Sequence, residues 1–257
     1  MDVWREGALG WIVFDHPERR NAISEDMWRE IPRAAAELAA DDAVRVVLLR
    51  GAGDVAFVSG ADISEFERIR TGGDAAGDYD ALTDLAFAAL SDLPKPVIAL
   101  IHGFCVGGGL ALALTADLRY ASDDARFAIP AARLGLGYGE GGIRTLATLV
   151  GPSAAKEMLF TARLFDAGEA LQRGLVNGVF PKAALEDSVR GTAQGIASNA
   201  PLTLRAVKRV LRELARDEGA RDRTAIERAI RACFDSADYK EGIRAFLDKR
   251  RPEFRGR

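Results

Sequence analysis

The sequence predicts an α/β fold in which strands and helices alternate, followed by a C-terminal part built of helices. Two patterns carry this. Apolar β-branched runs that end in glycine alternate with stretches of helical spacing over about the first 180 residues. From Ala184 onward almost every stretch reads as helix. A third observation bounds the result: 257 residues, 48% hydrophobic and 28% charged, have the composition of an ordinary globular protein. A chain of that length buries roughly 70–75% of its unfolded surface without staples.

The elements follow in order. "GALGWIVFDHPERRNAIS" predicts a strand and then a turn at "HPERRN". Ser24 is placed to cap a helix over 25–40, with Met27, Ile31, Ala34, Ala35 and Leu38 at helical spacing. The run from Ala43 to Gly53 predicts a strand buried on both faces. "VAFVSGADISEFERI" passes from a short strand into a helix at Ser59–Asp62, and Gly72–Gly77 predicts a flexible loop before the amphipathic "YDALTDLAFAALSDL". "KPVIALIHG" predicts a buried strand, 109–116 a helix, and "DLRYASDDARFAIP" one further strand. The glycine-dense "RLGLGYGEGGI" predicts a loop, with helices starting near Ser153 and Asp166. Asp166 and Glu169 have capping-box spacing, and Gly174 suits a helix stop. "LVNGVF" is the last strand, and the helical part breaks near Ala200–Pro201, Glu218–Gly219 and Asp238. No internal repeat or low-complexity linker is visible.

A net charge of −3 gives no case for nucleic acid as a partner. The two cysteines, Cys105 and Cys233, are too few and too scattered for a metal cluster or a disulfide framework, which favours a reduced, cytoplasmic compartment. "MDVWREGALG" lacks the apolar core of a signal peptide. The twenty uncharged residues from Val97 to Ala116 are long enough to span a bilayer, and "GFCVG" has the GxxxG spacing. His102 and the glycines at their centre, with no flanking aromatic belt, argue against a span. A buried strand, a tight turn and a buried helix fit the same residues.

Gly103, Gly107, Gly108 and Gly109 put flexible backbone into the most apolar segment of the chain. A glycine-rich turn at a helix start leaves N–H groups bare for an anion. The glycines do not form GxGxxG, and Leu110 and Ala111 stand where a P-loop needs Lys and Ser or Thr. The remaining anion is one formed in a reaction, the oxyanion of an enolate or a tetrahedral intermediate. "SGADI" (residues 59–63), a second glycine-containing junction, is placed to supply another N–H. Close-packing turns explain both stretches equally well.

"HPERRNAIS", "VRVVLLRGAGDVAFVSGADISEF", "KPVIALIHGFCVGGGLALALTADLRYAS", "FAIPAARLGLGYGEGG", "FDAGEALQRGLVNGVF" and "YKEGIRAFLDKRRPEF" follow one another through nearly the whole chain. In order and spacing the sequence resembles the crotonases, the enoyl-CoA hydratase/isomerase family. The resemblance implies a spiral of ββα units over 1–198 that carries an acyl-CoA site. It implies a helical region over 199–257 that builds homotrimers, often paired as hexamers. No cofactor is implied apart from coenzyme A as part of the thioester, and no membrane partner. The implied donors to the thioester oxygen are the Ala61 and Gly108 amides, flanked in the site by Ser59, Gly60, Asp62, Ile63 and Gly107.

The chain departs from the family pattern where proton transfer is expected. Hydratases of the family carry two glutamates, and the matching positions here hold Ala111 and Ala131. Neither can move a proton. Glu140 and Tyr138, on the loop that the resemblance turns toward the acyl pocket, are the candidates to replace them: Glu140 as base, Tyr138 as donor. A solvated carboxylate and a packed ring with a wet hydroxyl are the plain alternatives. Asp62 reads best as an N-cap for the helix at Ile63. His102 reads as a satisfied packing histidine, His16 as a turn residue, and Cys105 as an inert buried thiol. Lys249, in the basic tail, and Phe234 are implied contacts for coenzyme A, reaching it from a neighbouring subunit. Arg20 and Ala22 are implied contacts after the first strand. Three functions follow as expectations: an enolate-stabilising hydratase or isomerase; a decarboxylase or thioester hydrolase on the same site; or a non-catalytic acyl-CoA binder.

Overall fold

The structure, a computed structural model, describes residues 1–65 and 73–257, the side chains of 73–76 excepted. Among the described residues the strands form two sheets. The first contains β1 (Asp2–Glu6), β2 (Leu9–Phe14), β3 (Val46–Gly51), β5 (Val97–Ile101), β7 (Leu118–Ser122) and β10 (Gly178–Phe180), in that order. The second contains β4 (Ala56–Val58), β6 (Phe104–Val106), β8 (Arg126–Ala128) and β9 (Phe165–Asp166). From β3 to β8 consecutive strands therefore alternate sheets. β3 with β4, β5 with β6 and β7 with β8 each contribute one strand to either sheet, and a helix follows each pair: α2 (Gly73–Ser91), α3 (Gly108–Thr115) and α4 (Ala131–Leu134). Pairing between successive units is parallel, so the units wind as a spiral.

The continuous apolar runs of the sequence arise because the first sheet is covered on both faces. Along β3, Val47 and Leu49 join the main core while Val46 and Leu48 join a second cluster with Leu185, Val189 and Ala193 of α7 (Lys182–Ala197). β5 divides likewise. α1 (Glu25–Ala40) starts at Ser24, whose side chain accepts from the Met27 amide, and buries the expected apolar stripe together with Trp28. Its last carbonyls are closed by Lys95, whose Nζ donates to Leu38 O at 2.7 Å and Asp41 O at 2.6 Å.

Several expectations need correction. "DLRYASDDARFAIP" is two strands in different sheets, because Ser122 and Asp124 turn the chain at an Ala125–Ser122 backbone bond. β6, between His102 and the triple glycine, was not anticipated, since Gly103 at φ 55° masks a three-residue strand. The stretch 73–77 is helical, and Gly72 lies outside the described residues. The helix expected from "SGADI" is a 3-10 turn at Ile63–Glu65, and its continuation past Glu65 lies outside them too. The loop "RLGLGYGEGGI" narrows to Gly135–Gly139. α5 (Glu140–Thr161) begins inside it and breaks at Gly151 (φ 80°), just before Pro152 and the start expected near Ser153. The expected capping box at Asp166 opens α6 (Ala167–Gln172).

Past Ala197 the chain is α8 (Pro201–Leu214), α9 (Arg223–Phe234) and α10 (Ala237–Leu247). Val97–Ala116 forms β5, β6 and the whole of α3. No helix among the described residues is long and apolar enough to cross a membrane.

Candidate active site

A cavity of about 610 Å³ opens between α1, α2, the start of α3 and the loop before α5. Ser59, Gly60, Ala61 and Ile63 line it from one junction, and Gly107, Gly108 and Ala111 from the other. Ala131, Tyr138 and Glu140 complete the expected set. Trp28, Phe87, Val106, Ile129, Leu134 and Leu136 make most of the wall apolar.

The three successive glycines have different physical reasons. Gly107 sits at φ 55°, and its amide donates to Ala128 O at 2.8 Å. At Gly109 a Cβ would stand 2.1 Å from Val58 O, so only glycine lets α3 approach β4. A Cβ on Gly108 would meet Trp28 and Ala61 N at ordinary contact distance, and the Gly108 amide, at the first position of α3, has no acceptor within the helix. Ala61 is bridged to Ile23 through its neighbours: Ile23 N donates to Gly60 O at 2.9 Å, and Asp62 N donates to Ile23 O at 2.9 Å. That parallel pattern turns the Ala61 amide away from the bridge. Neither amide has an acceptor among the described residues. They also converge. A Cβ built on Gly108 would lie 3.5 Å from Ala61 N.

The titratable groups differ in availability. Tyr138 packs its ring against Gly142, and its hydroxyl is buried with no hydrogen-bond partner, so it is not the wet hydroxyl of the plain expectation. Burial pushes this phenol up to about 12, which keeps it a donor through the neutral range. The Glu140 side chain is 82% exposed and accepts from Arg144 one turn on. Asp80, Thr83 and Asp84 also line the cavity, on the same face of α2 as Tyr79 and Phe87. Sequence reasoning missed this face, although 79, 80, 83, 84 and 87 carry helical spacing; Trp28 was missed beside the apolar stripe of α1.

Other expected residues lie elsewhere. Asp62 accepts from Ser64 N (3.0 Å) and Ser64 Oγ (2.6 Å), which hold its carboxyl below the usual range; it caps the 3-10 turn and does not line the cavity. Arg20 and Ala22 are also outside the lining. Arg20 O accepts from Ser59 N, its guanidinium lies 5.0 Å from the Phe104 ring centre, and Ala22 is buried. Phe234 lines a different, apolar groove of about 840 Å³ among the C-terminal helices, and Lys249 follows α10 at φ 54°. Within this chain neither is brought to the cavity. His102 is buried, but its Nε2 is unpaired, so it is not the satisfied histidine expected. Burial brings it down to about 4. Burial drives the Cys105 thiol far up, which leaves it inert.

Repeated strand–strand–helix units with an apolar cavity at a glycine-rich helix start define a crotonase fold. The chain belongs to the enoyl-CoA hydratase/isomerase family, whose sequence profile matches residues 5–257. It is 35% identical over 249 residues to a short-chain-enoyl-CoA hydratase of Clostridium acetobutylicum, covering 97% of this chain and 95% of that protein. It is 37% identical over 267 residues to a carnitinyl-CoA dehydratase of Proteus mirabilis, covering 100% and 98%. The crystal structure of an enoyl-CoA hydratase/carnithine racemase from Magnetospirillum magneticum superposes with a TM-score of 0.95 at 36% identity, over 100% of this chain and 97% of that one.

Proposed function

We propose that the protein is an enzyme of acyl-CoA metabolism that holds the thioester oxygen between the Ala61 and Gly108 amides and stabilises the enolate formed there. The observation that carries this is the pair of unpartnered, neighbouring N–H groups in an apolar cavity. Donors fixed before the reaction need no reorganisation as charge develops, and each such donor is worth about 3–4 kcal/mol. The site uses no cofactor beyond the coenzyme A of its substrate.

Ala111 and Ala131 line the cavity with methyl groups at the positions that resemble the glutamates of family hydratases. The proton therefore moves through another group. Tyr138, neutral and unpartnered, serves as donor; Glu140 serves as base once it exchanges Arg144 for substrate or water. Isomerisation, decarboxylation and thioester hydrolysis remain open to such a site, as hydration does through an ordered water. The same two alanines favour a second reading, an acyl-CoA binder that performs no chemistry.

The exposed apolar side chains of the C-terminal helices, Phe246 at 84% and Leu247 at 72% exposure among them, support assembly as a homotrimer. That assembly would let Phe234 and Lys249 serve a neighbour's site. Turnover of crotonyl-CoA and longer enoyl-CoAs, measured beside direct binding, tests the reading. Turnover supports the enzyme, micromolar binding without turnover supports the binder, and neither binding nor turnover removes both.

A further inference from the structure

The wall beside the two amides is one indole. Trp28 is almost wholly buried in α1, yet its ring reaches the cavity. Its Nε1 donates to the Tyr79 hydroxyl at 2.8 Å, across to α2. Phe87 meets the ring edge-on, with centroids 5.3 Å apart and planes at 82°. The far edge of the indole points at the site. Cζ2 and Cη2 lie 3.4 and 3.7 Å from the point where a Gly108 Cβ would stand, and Ala61 N lies 3.5 Å from that same point. A ring tied by a buried hydrogen bond to another helix does not turn aside cheaply.

We infer that Trp28, held in place by Tyr79, selects acyl thioesters that are unbranched at the α-carbon. This rests on the reading of Ala61 and Gly108 as the holders of the thioester oxygen. An oxygen within reach of both amides lies beside the indole edge, and the α-carbon is only two bonds further. A hydrogen on that carbon fits against an aromatic edge. A methyl group places a heavy atom about 1.5 Å further out, where the pinned ring already stands. Bulk further along the chain meets a different wall. One helical turn from Gly108, Ala111 offers only a methyl group, and Ala131 another, so a branch at the β-carbon has room.

The test compares binding of n-butyryl-CoA, isobutyryl-CoA and isovaleryl-CoA by calorimetry to the folded full chain. Expected for the unmodified protein are similar affinities for n-butyryl-CoA and isovaleryl-CoA, and at least tenfold weaker binding of isobutyryl-CoA. Trp28→Leu should reduce that discrimination to less than threefold. Tyr79→Phe, which keeps the ring and removes only the hydroxyl that holds Trp28, should reduce it in part, and it carries the test if Trp28→Leu does not fold. Equal binding of all three esters by the unmodified protein overturns the inference alone. So does discrimination that survives in every folded variant. Binding of none of the three overturns the reading of the two amides, and this inference with it.

Discussion

A methyl group on Gly108 would stand 3.5 Å from the Ala61 amide nitrogen and 3.4 Å from Trp28 Cζ2, ordinary contact distances on every side. Gly108→Ala should therefore fold with an unchanged melting temperature, yet fill the space where the two amides meet. Acyl-CoA binding should weaken, and turnover should fall by roughly a hundredfold or more, the loss expected when one such donor is denied its acceptor. Gly109→Ala makes the opposite case one residue away. Its methyl group would lie 2.1 Å from the Val58 carbonyl oxygen, so this variant should lose stability outright. Calorimetric binding and thermal melts of the two variants separate the effects.

Tyr138→Phe removes a buried hydroxyl that has no partner in the free protein. Its melting temperature should hold or rise, because an unsatisfied buried donor costs about 1–3 kcal/mol. Turnover should fall. A variant that is more stable and equally active would remove Tyr138 from the proton path.

Glu140→Gln keeps the shape of the loop and the contact with Arg144 while abolishing the base. With Glu140 exposed at the start of α5, stability should change by less than about 0.5 kcal/mol. The rate should drop at least tenfold with KM little changed. Full turnover in this variant would transfer the role of base to another group or to water, with Asp84 of the cavity wall the next residue to replace.

His102 gives a pH signature. Its folded value of about 4 lies below the ordinary 6.5, chiefly through burial, with Arg50 and Lys182 adding to the effect and Asp124 and Asp54 opposing it. Between those values the unfolded chain binds the proton and the folded chain does not, so stability is full above about 6.5 and falls as pH drops toward 4. The loss amounts to about 3 kcal/mol. Denaturation series from pH 7.5 to 4.5 should show a shallower acid limb in His102→Leu than in the unmodified chain. Parallel limbs would contradict the buried, neutral imidazole.

Much of the fold was legible because burial on both faces of a sheet leaves unbroken apolar runs, as at Val46–Leu49 and Val97–Ile101, and because Ser24 and Asp166 announce their helices. The alternation of sheets was not. β4, β6 and β8 span three residues each, too short to show a period of their own. At the site, the glycines and "SGADI" marked the two junctions that line the cavity, while the choice of the Ala61 and Gly108 amides came from the resemblance to the family. The indole of Trp28 did not stand out from the apolar stripe beside it, because the sequence does not say which edge of a helix meets a cavity.

The shared grip on one thioester oxygen is tested most directly by the infrared carbonyl stretch of bound butyryl-CoA labelled with ¹³C at the thioester carbon. Two short hydrogen bonds should lower that frequency below the value of the free ester in the unmodified protein. Gly108→Pro, which removes the N–H at a helix position that tolerates proline, should return it most of the way. A bound ester that vibrates at the free frequency in the unmodified protein would contradict the assignment of Ala61 and Gly108.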